Sequence, residues 1–487
     1  MKKKAVVIGS GIGGIATAIR LAVKDMEVTV FEKDKNPGGK LNLIELDGYR
    51  FDLGPSLFTM PFFVEELFQL AGKDHRDYFR YKKIDLACKY FWRDGTTIYA
   101  WSDKKKLAEE IEKKLGVDPE IIEKYVSHAL NLYEKTSPVF LEKSLHKLKN
   151  YLSYDFLVAG TYFHQMDIFQ TMDEANRKRL KHPKLVQMFN RMATYNGSSP
   201  FKAPGILNII SSLEHGTGVY FPEGGMYNIT LSLYNLAREL GVKFRFSEEV
   251  REIKYKDRKV QGVKTSLNEY TADIVISNMD IVPSYRKLLP GVKRPERTLR
   301  QERSSSALVF YWGIKNTYPE LELHNIFFSN NYKEEFEYLF EGFDIHNDPT
   351  IYINISSKES PGDVPEGHEN WFVMVNAPHN QNQDWEEIIQ RTRKNISSKL
   401  SKILNKDIEK DIEAEYILDP REIESKTSSY KGSLYGSSSN SKFAAFLRHP
   451  NFSSRLNGLY FVGGSVHPGG GIPLCLLSAK ITAGLIN

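Results

Sequence analysis

An α/β fold in which a parallel sheet binds a dinucleotide is the fold class that this sequence predicts, and three observations support it. Ala5–Ile8 form an apolar, β-branched run, and the glycines that follow fill the pattern G-x-G-x-x-G at the start of an Ala-rich helical segment. A second apolar run, Glu27–Phe31, ends at Glu32. A second glycine-rich turn lies near the C-terminus. Together they predict a Rossmann-type domain whose two halves lie at opposite ends of the chain.

The three glycines of the G-x-G-x-x-G pattern each have a structural role. Gly9 permits the tight turn after the strand, Gly11 lets the backbone approach a pyrophosphate, and Gly14 allows the helix to pack closely on the strand. The free N–H groups of Ile12 and Gly13 point at the anion. A structural turn without a ligand is the alternative, and the acidic residue after the second strand makes it the weaker one.

Glu32 is placed where a carboxylate binds the 2'-hydroxyl of the adenosine ribose. An acid there argues against NADP, because the 2'-phosphate would meet a like charge. Just beyond it come Lys33 and the triplet Gly38-Gly39-Lys40, a second glycine pair beside a cation. We expect this loop to follow the rest of an extended dinucleotide.

Seven segments of the chain carry a resemblance to a known family. They are the stretch E-K-x-x-x-x-G-G-K from Glu32, FDLGPSLFTMP (51–61), YFPEGGMYNITLSLYNLARELGVKF (220–244), ADIVISNMD (272–280), DPTIYINISSKESPGDVPEGHENWFVMVNAPH (348–379), GSLYG (432–436) and GGSVHPGGGIP (463–473). In this order, and over almost the whole chain, they resemble the FAD-dependent carotenoid desaturases of the bacterial phytoene-desaturase type, within the amine-oxidase and carotenoid-desaturase superfamily.

The resemblance implies an α/β fold with a Rossmann-type FAD-binding domain and an inserted α+β substrate domain. The FAD-binding domain is expected to be discontinuous, over residues 1–75, 215–285 and 440–487, with the substrate domain over 76–214 and 286–439. FAD is the expected cofactor, and no metal site is expected. The expected cofactor-binding residues are Gly9, Gly11, Ile12, Gly13, Gly14, Glu32, Lys33, Gly39, Lys40, Leu41, Pro55, Ser56, Val250, Asn278, Gly464, Ser465, His467, Gly471, Ile472 and Pro473.

The C-terminal turn is expected to face the redox ring of the flavin. Gly463–Ser465 let the backbone touch the ribityl-phosphate region, and Gly469–Pro473 turn the chain into a helix. Amides at that helix N-terminus would stabilise negative charge on the N1–C2=O side of a reduced flavin. His467 beside the turn has two interpretations, a neighbour of flavin or substrate and a hydrogen bond that orders the loop.

The reaction implied by the resemblance is carotenoid desaturation, in which an allylic C–H gives hydride to flavin N5 and the adjacent carbon loses a proton to leave a new C=C bond. Val466, Leu474 and Cys475 make the C-terminal segment more similar to hydroxycarotenoid 3,4-desaturases than to phytoene desaturases. The sequence hypothesis is 3,4-desaturation of a 1'-hydroxylated or monocyclic carotenoid. No proton acceptor is assigned, because Asp52, His467 and the carboxylates of the substrate domain are all candidates.

Four alternatives stay open at this point. A carotene cis-trans isomerase would use reduced FAD without net oxidation, and a phytoene desaturase proper is the alternative within the same family. An amine oxidase would act on a polar substrate, which the match over 348–379 argues against. A non-enzymatic binder of isoprenoid groups, similar to the prenyl-GTPase escort proteins, would have lost FAD.

Composition limits the remaining function classes. The 487 residues exceed what one hydrophobic core usually serves, so more than one subdomain is expected. Cys88 and Cys475 are too few for a disulfide scaffold and indicate a reducing cytoplasm. A net charge of +5 without a zinc, helix-turn-helix or RNA-binding motif does not predict a nucleic-acid partner. The sequence contains no stretch of 18 apolar residues without a charged residue, so it predicts no transmembrane helix.

A lipid-soluble substrate predicts peripheral attachment to the inner face of the membrane. Two segments are candidates for docking on lipid. In Pro61–Leu70, the side chains of Phe63, Leu67 and Leu70 fall on one helical face, and in 141–152 four leucines recur at helical spacing beside basic residues. Such stripes more often face a protein core. The electron acceptor is expected to be oxygen or a membrane quinone.

Overall fold

The computed structural model describes residues 2–441 and 448–486. Its strands are β1 (Lys4–Ile8), β2 (Glu27–Phe31), β3 (Asn42–Leu46), β4 (Tyr49–Leu53), β5 (Tyr81–Ile84), β6 (Leu86–Phe91), β7 (Thr97–Trp101), β8 (Val219–Pro222), β9 (Lys243–Arg245), β10 (Val250–Lys256), β11 (Lys259–Thr265), β12 (Glu269–Thr271), β13 (Ile274–Ser277), β14 (Ser306–Ile314), β15 (His324–Phe327), β16 (Ile351–Ile355), β17 (Glu369–Ala377), β18 (Ile412–Leu418) and β19 (Leu459–Phe461). Its α-helices are α1 (Ile12–Val23), α2 (Phe62–Leu70), α3 (Lys104–Leu115), α4 (Pro119–Phe140), α5 (Tyr154–Thr161), α6 (Met172–Leu180), α7 (Pro183–Asn190), α8 (Tyr227–Glu239), α9 (Ile281–Lys287), α10 (Glu296–Leu299), α11 (Tyr332–Glu337), α12 (Trp385–Leu404), α13 (Ile408–Asp411), α14 (Pro420–Thr427) and α15 (Ile472–Gly484).

Strands from distant parts of the chain form one parallel sheet, in the order β19-β13-β1-β2-β9. The central strand β1 is buried from Ala5 to Ile8, as its β-branched sequence predicts for a strand covered on both faces. β19, near the C-terminus, pairs with β13, which in turn pairs with β1. The two ends of the chain therefore lie in the same sheet. The domain limits given above stay a prediction.

Each face of the parallel sheet is covered by a different layer. Side chains of α1, α8, α15 and α2 form one apolar core with alternate residues of β1 and β2. The small antiparallel sheet β10-β11-β12 packs on the opposite face, where Ile253 and Val263 are buried against Val275. This layering leaves the carboxyl ends of the parallel strands free for a ligand.

A seven-stranded sheet, in the order β18-β14-β17-β16-β15-β6-β7, forms the second large part of the molecule. Strand β14, second from one edge of this sheet, is buried at all nine residues. Leu308, Phe310 and Trp312 pack against α12 on one face. Val309 and Tyr311 alternate onto the other face, where they meet the hairpin β3-β4 and a large cavity.

The predicted basic amphipathic helix over 141–152 is wrong. Helix α4 ends at Phe140, and only a 3-10 helix follows, over Leu148–Leu152. The amide of Asn150 donates to the carbonyl oxygen of Ser144, so local side-chain hydrogen bonds compete with helix formation. Leu145 packs against a buried cluster, and the side chain of Leu148 lies outside the described residues.

The second candidate for lipid contact, Pro61–Leu70, is a helix whose apolar stripe faces the protein. Phe63 and Leu67 are buried in the core beneath α1, and only Leu70 at the end of the stripe is exposed. Those two side chains therefore contribute to folding rather than to membrane contact. Among the described helices, none combines the length and the apolar character that crossing a bilayer requires.

Candidate active site

A cavity of about 830 Å³ connects the parallel sheet with the seven-stranded sheet. The predicted cofactor-binding residues that line it are Gly9, Gly11, Ile12, Gly13, Glu32, Lys33, Gly39, Lys40, Leu41, Pro55, Ser56, Val250, Asn278, Gly464, Ser465, Gly471, Ile472 and Pro473. The structure thus brings together residues from both ends of the chain and from its middle. Gly14 and His467 are not part of the lining.

The first glycine turn is packed so closely that side chains at its glycine positions would clash with neighbouring atoms. A Cβ atom on Gly11 would lie 2.8 Å from Oδ1 of Asn278, and one on Gly14 would collide with the carbonyl oxygen of Gly9. Helix α1 begins at Ile12, and within the described chain no side chain caps it. Its first amide groups are therefore available to an anion at the cavity end.

Glu32 lies at the carboxyl end of β2, as the sequence predicts. Its carboxylate accepts hydrogen bonds from the backbone N–H of Ser10 at 2.7 Å, the Ser10 hydroxyl at 2.9 Å and the backbone N–H of Asp34 at 3.1 Å. These bonds fix the carboxylate at the mouth of the glycine turn. Among the described residues, Oε1 accepts one hydrogen bond, from Asp34, which leaves acceptor capacity for a ribose hydroxyl.

Asn278 joins the two ends of the chain at the site. It follows β13, and its amide nitrogen donates to the carbonyl oxygen of Val462 at 3.0 Å. A Cβ atom on Gly463 would lie 2.6 Å from the same nitrogen. The N-terminal glycine turn and the C-terminal loop are therefore held against the same side chain.

Lys40 follows the second glycine pair and also lines the cavity. Its Nζ donates to the carbonyl oxygen of Leu434 at 2.6 Å, and burial lowers its pKa to about 8. The loop Gly54–Ser56 passes directly over it, because a Cβ atom on Gly54 would overlap the Lys40 carbonyl group. This contact brings Ser56 to the part of the cavity between Lys40 and the seven-stranded sheet.

The C-terminal turn presents a second helix N-terminus to the cavity. Helix α15 follows Gly471, whose φ of 100° suits glycine, and no described side chain caps it. Gly464 faces the turn so closely that a Cβ atom would lie 3.1 Å from Cα of Gly470. The partial positive charge of this terminus therefore points into the cavity beside Ile472 and Pro473.

Two candidates for the proton acceptor are turned away from the cavity. The imidazole of His467 is buried, with Nε2 2.9 Å from the carbonyl oxygen of Lys143, and burial lowers its pKa to about 4. The neutral ring donates to that oxygen, which supports the loop-ordering interpretation. Asp52 accepts hydrogen bonds from the backbone N–H groups of Met226 and Tyr227 and so holds the start of α8.

Arg448 belongs to the site and was not predicted. Arg448 is 2% exposed, and its guanidinium donates to the carbonyl oxygens of Tyr435, Gly464 and Ser437. Burial lowers its pKa to about 10. It lies between the C-terminal turn and the GSLYG segment, and nothing in the local sequence around it signals this role.

The remaining cavity is largely apolar. The seven-stranded sheet contributes Ala307, Val309, Phe372 and Met374, and the helical region contributes a second apolar wall. Its members are Tyr133, Phe140, Leu141, Met166, Ile206, Leu207, Ile209, Ile210 and Leu213. A long hydrocarbon ligand fits this environment.

Polar side chains line one side of this otherwise apolar part of the cavity, and the sequence did not predict them. We call it the polar wall, and it consists of Arg191, Tyr195, Glu214, His324, Tyr332 and Tyr352. Nη2 of Arg191 lies 2.9 Å from Oε1 and 3.0 Å from Oε2 of Glu214. Burial acts to raise the pKa of Glu214, but Arg191 and the Tyr195 hydroxyl outweigh it, and the net pKa is lowered. Glu214 lies on a π-helical turn, Leu213–Thr217, a feature that is frequent at functional sites.

The residues at the sheet end of the cavity fit an FAD molecule. Two helix N-termini that no described side chain caps, the first glycine turn, a fixed acidic residue and a half-buried lysine line the same cavity. Bound there, a flavin dinucleotide supplies hydride acceptance. The apolar region and the polar wall lie on the far side, where a substrate would bind.

Comparisons with known proteins agree with this geometry. Residues 12–487 match the family described as Flavin containing amine oxidoreductase. The chain is 54% identical to a 1-hydroxycarotenoid 3,4-desaturase of Flavobacterium sp. (strain P99-3) over 99% of each chain. It is 34% identical to a 4,4'-diapolycopene oxygenase of Methylomonas sp., over 98% of this chain and 97% of that protein.

A solved structure of wild-type putrescine oxidase bound to putrescine covers 100% of this chain and 99% of its own, with a TM-score of 0.64 at 12% identity. At that identity it shows the fold alone. The predicted fold class and the predicted FAD cofactor are confirmed. This chain is an FAD-dependent oxidoreductase and belongs to the flavin-containing amine oxidoreductase family.

Proposed function

We propose that this protein desaturates a carotenoid at its 3,4 bond and that the substrate carries a hydroxyl group on C1. The observation that carries the proposal is the 54% identity to a 1-hydroxycarotenoid 3,4-desaturase over nearly the whole of both chains. The cavity supports it independently, because a largely apolar channel leads away from the cofactor end and one of its sides is polar.

Selectivity in such a cavity must come from shape and from polar contacts. Each CH2 group that leaves water gains about 0.8 kcal/mol, but a carotenoid that moves from a bilayer into an apolar channel gains almost none of this. The apolar wall therefore accommodates many carotenoids with similar affinity. A polar group at one end of the substrate is the feature that the chain can recognise.

FAD, when bound, supplies the acceptor for the hydride that leaves the allylic carbon. The chain's own residues must align that carbon, exclude water and compensate the positive charge left on the polyene. Glu214 is the ionised carboxylate on the polar wall, and its lowered pKa keeps it charged at neutral pH. We assign to it the stabilisation of this positive charge, with Arg191 and Tyr195 as the residues that donate hydrogen bonds to it and hold it in place.

We also propose that the protein attaches to the inner face of the membrane through an apolar surface patch around α5. Its exposed side chains are Leu152, Tyr154, Leu157, Phe163 and Phe169, with exposed fractions from 51% to 88%. Phe156 and Tyr162 in the same segment pack against Met166 and Ile206, which line the cavity. A carotenoid could pass from lipid to the apolar wall at this place. The reduced cofactor would pass its electrons to oxygen or to a membrane quinone.

Expression in cells that make different carotenoids tests the proposed reaction. With a 1-hydroxycarotenoid, chromatography should show a product that absorbs at longer wavelength and has lost two hydrogens by mass. A product of unchanged mass would instead identify a cis-trans isomerase. A gain of oxygen would identify an oxygenase, and conversion of phytoene would identify a phytoene desaturase proper. Unchanged carotenoids in every strain would refute the proposal.

A further inference from the structure

Arg448 is a buried cation that lines the cavity and forms no ion pair with a described carboxylate. Its guanidinium donates to neutral acceptors, which are three backbone carbonyl oxygens and the side-chain oxygen of Asn196. The adjoining residues 442–447 lie outside the described chain, and their sequence contains no Asp or Glu. Burying an unpaired charge costs free energy, so a negative charge on a ligand would stabilise this arginine.

The charged groups close to Arg448 do not compensate its charge. Asp280 lines the cavity, but its carboxylate accepts a hydrogen bond at 2.5 Å from Arg303, with which it forms a buried ion pair. Lys40 is a further cation in the lining, and its pKa of about 8 keeps it largely protonated at neutral pH. Its Nζ donates to two backbone carbonyl oxygens. Among the described residues, positive charge therefore exceeds negative charge in this part of the cavity.

The guanidinium of Arg448 packs directly against the turn that precedes α15. Its Nη1 donates to the carbonyl oxygen of Gly464 at 3.2 Å, and a Cβ atom on Gly469 would lie 3.3 Å from its Nε. Gly471, immediately before α15, lines the same cavity. The charge of Arg448 thus adds to the partial positive charge of this helix N-terminus. Its hydrogen bonds hold the charge in place before a ligand binds.

The flavin ring, which the sequence predicts at this turn, becomes negatively charged on reduction. A hydride that reaches N5 brings two electrons and one proton, so the ring gains one negative charge, which N1 and the C2 oxygen share. A cation near that side of the ring stabilises the reduced state more than the neutral oxidised state. The pyrophosphate of FAD carries the same charge in both states, so a cation that serves it favours neither.

We propose that Arg448 stabilises the negative charge of the reduced flavin and thereby raises the reduction potential of the bound cofactor. The guanidinium acts through space, as a fixed charge beside the turn that precedes α15, and it exchanges no proton. A higher potential favours hydride transfer from a hydrocarbon to the cofactor. This role concerns the FAD cofactor and goes beyond the proposed function, because it does not depend on which substrate is oxidised.

The reduction potential of the FAD-loaded protein tests this role without any carotenoid. It is measured by anaerobic equilibration with a redox dye of known potential. Arg448→Gln should weaken the binding of reduced FAD about 10-fold relative to oxidised FAD, which lowers the two-electron potential by about 30 mV. If Arg448 serves the pyrophosphate instead, both states lose affinity equally and the potential stays at the wild-type value.

Sulfite binding provides a second readout. Sulfite adds to N5 of oxidised flavin and leaves a negative charge on N1 and the C2 oxygen, so its Kd reports how well the protein stabilises that charge. The Kd, measured from the bleaching of flavin absorption, should rise about 10-fold in Arg448→Gln. Arg448→Lys keeps the charge but cannot reproduce the fork of hydrogen bonds, and it should keep both the potential and the sulfite Kd close to the wild-type values.

Arg20→Gln is the matched control. Arg20 is also a buried arginine, but it pairs with Glu66 and is not part of the cavity lining. This substitution should change neither the potential nor the sulfite Kd. An unchanged potential in FAD-loaded Arg448→Gln would overturn the inference. A potential that falls as far in Arg448→Lys as in Arg448→Gln would also overturn it, because the hydrogen bonds and not the charge would then be responsible.

The wild-type protein decides the matter if Arg448→Gln does not retain FAD. Its reduced flavin should be anionic at neutral pH by absorption, and the oxidised protein should bind sulfite. A neutral reduced flavin together with no sulfite binding would overturn the inference. No carotenoid enters any of these measurements, so a failure to desaturate carotenoids would refute the proposed function and leave the role of Arg448 standing.

Discussion

Replacing Arg191 by Met should destabilise the protein strongly, because it leaves the Glu214 carboxylate buried without its cation. The side chains of the pair are 8% and 2% exposed, so water cannot replace the lost partner. An ordinary glutamate has a pKa of about 4.3, so holding the unpaired carboxyl neutral at pH 7 costs roughly 3–4 kcal/mol at 1.36 kcal/mol per pKa unit. Breaking a buried pair typically costs about 3–5 kcal/mol, which agrees with this value.

Flavin fluorescence on heating provides the assay, since FAD becomes fluorescent when the protein releases it. For a cooperative unit of about 200 residues, a loss of about 3 kcal/mol lowers the unfolding temperature by roughly 6–12 °C. The double variant Arg191→Met/Glu214→Leu should recover most of this loss, because no unpaired charge remains. Arg300→Met, which breaks an exposed pair with Glu296, is the matched control and should change the temperature by less than about 3 °C. The reasoning is refuted if Arg191→Met is as stable as the wild type, or if the double variant is no more stable than the single one.

Three further predictions follow from the cofactor site, the buried histidines and the surface patch. Gly14→Ala should abolish FAD retention on purification, since its Cβ would collide with the carbonyl oxygen of Gly9, and a yellow protein with the normal flavin content would contradict this. Burial lowers the pKa of four histidines from 6.5 to about 4, namely His324, His379, His449 and His467. Below pH 6.5 the unfolded state therefore binds more protons than the folded state. The free energy of unfolding should therefore keep its full value above pH 6.5 and fall by up to about 5 kcal/mol per pH unit as the pH drops towards 4. When it is measured by urea unfolding at several pH values, His379→Asn should reduce the slope of this free energy against pH by the equivalent of about one proton. Leu152→Asp/Leu157→Asp should abolish co-sedimentation with liposomes while the flavin absorption spectrum stays normal, and unchanged sedimentation would rule out the patch as the membrane contact.

The cofactor end of the molecule could be predicted because its signals are local. Each signal depends on a few neighbouring residues: the glycines at fixed offsets, the acidic residue after β2 and the glycine run before α15. The placement of Glu32 and of the uncapped helix at Ile12 follows the expected pattern closely. The cofactor roles of the individual residues stay predictions.

The substrate end could not be predicted, because its residues come together only in the folded chain. Arg191, Glu214, His324 and Tyr332 lie on separate helices and strands, and no pattern in the sequence links them. The leucine repeat over 141–152 failed for the opposite reason. Four apolar residues at helical spacing describe a helix only if the backbone forms one, and polar side chains in that segment hydrogen-bond to the local backbone instead.

Anaerobic reaction of the purified FAD-loaded protein with a 1-hydroxycarotenoid in liposomes tests the central claim most directly. We predict that the flavin absorption near its oxidised maximum is bleached as the carotenoid spectrum shifts to longer wavelength, with one flavin reduced for each pair of hydrogens lost from the carotenoid by mass. Bleaching without a change in the carotenoid, or a carotenoid that changes without flavin reduction, would contradict the account.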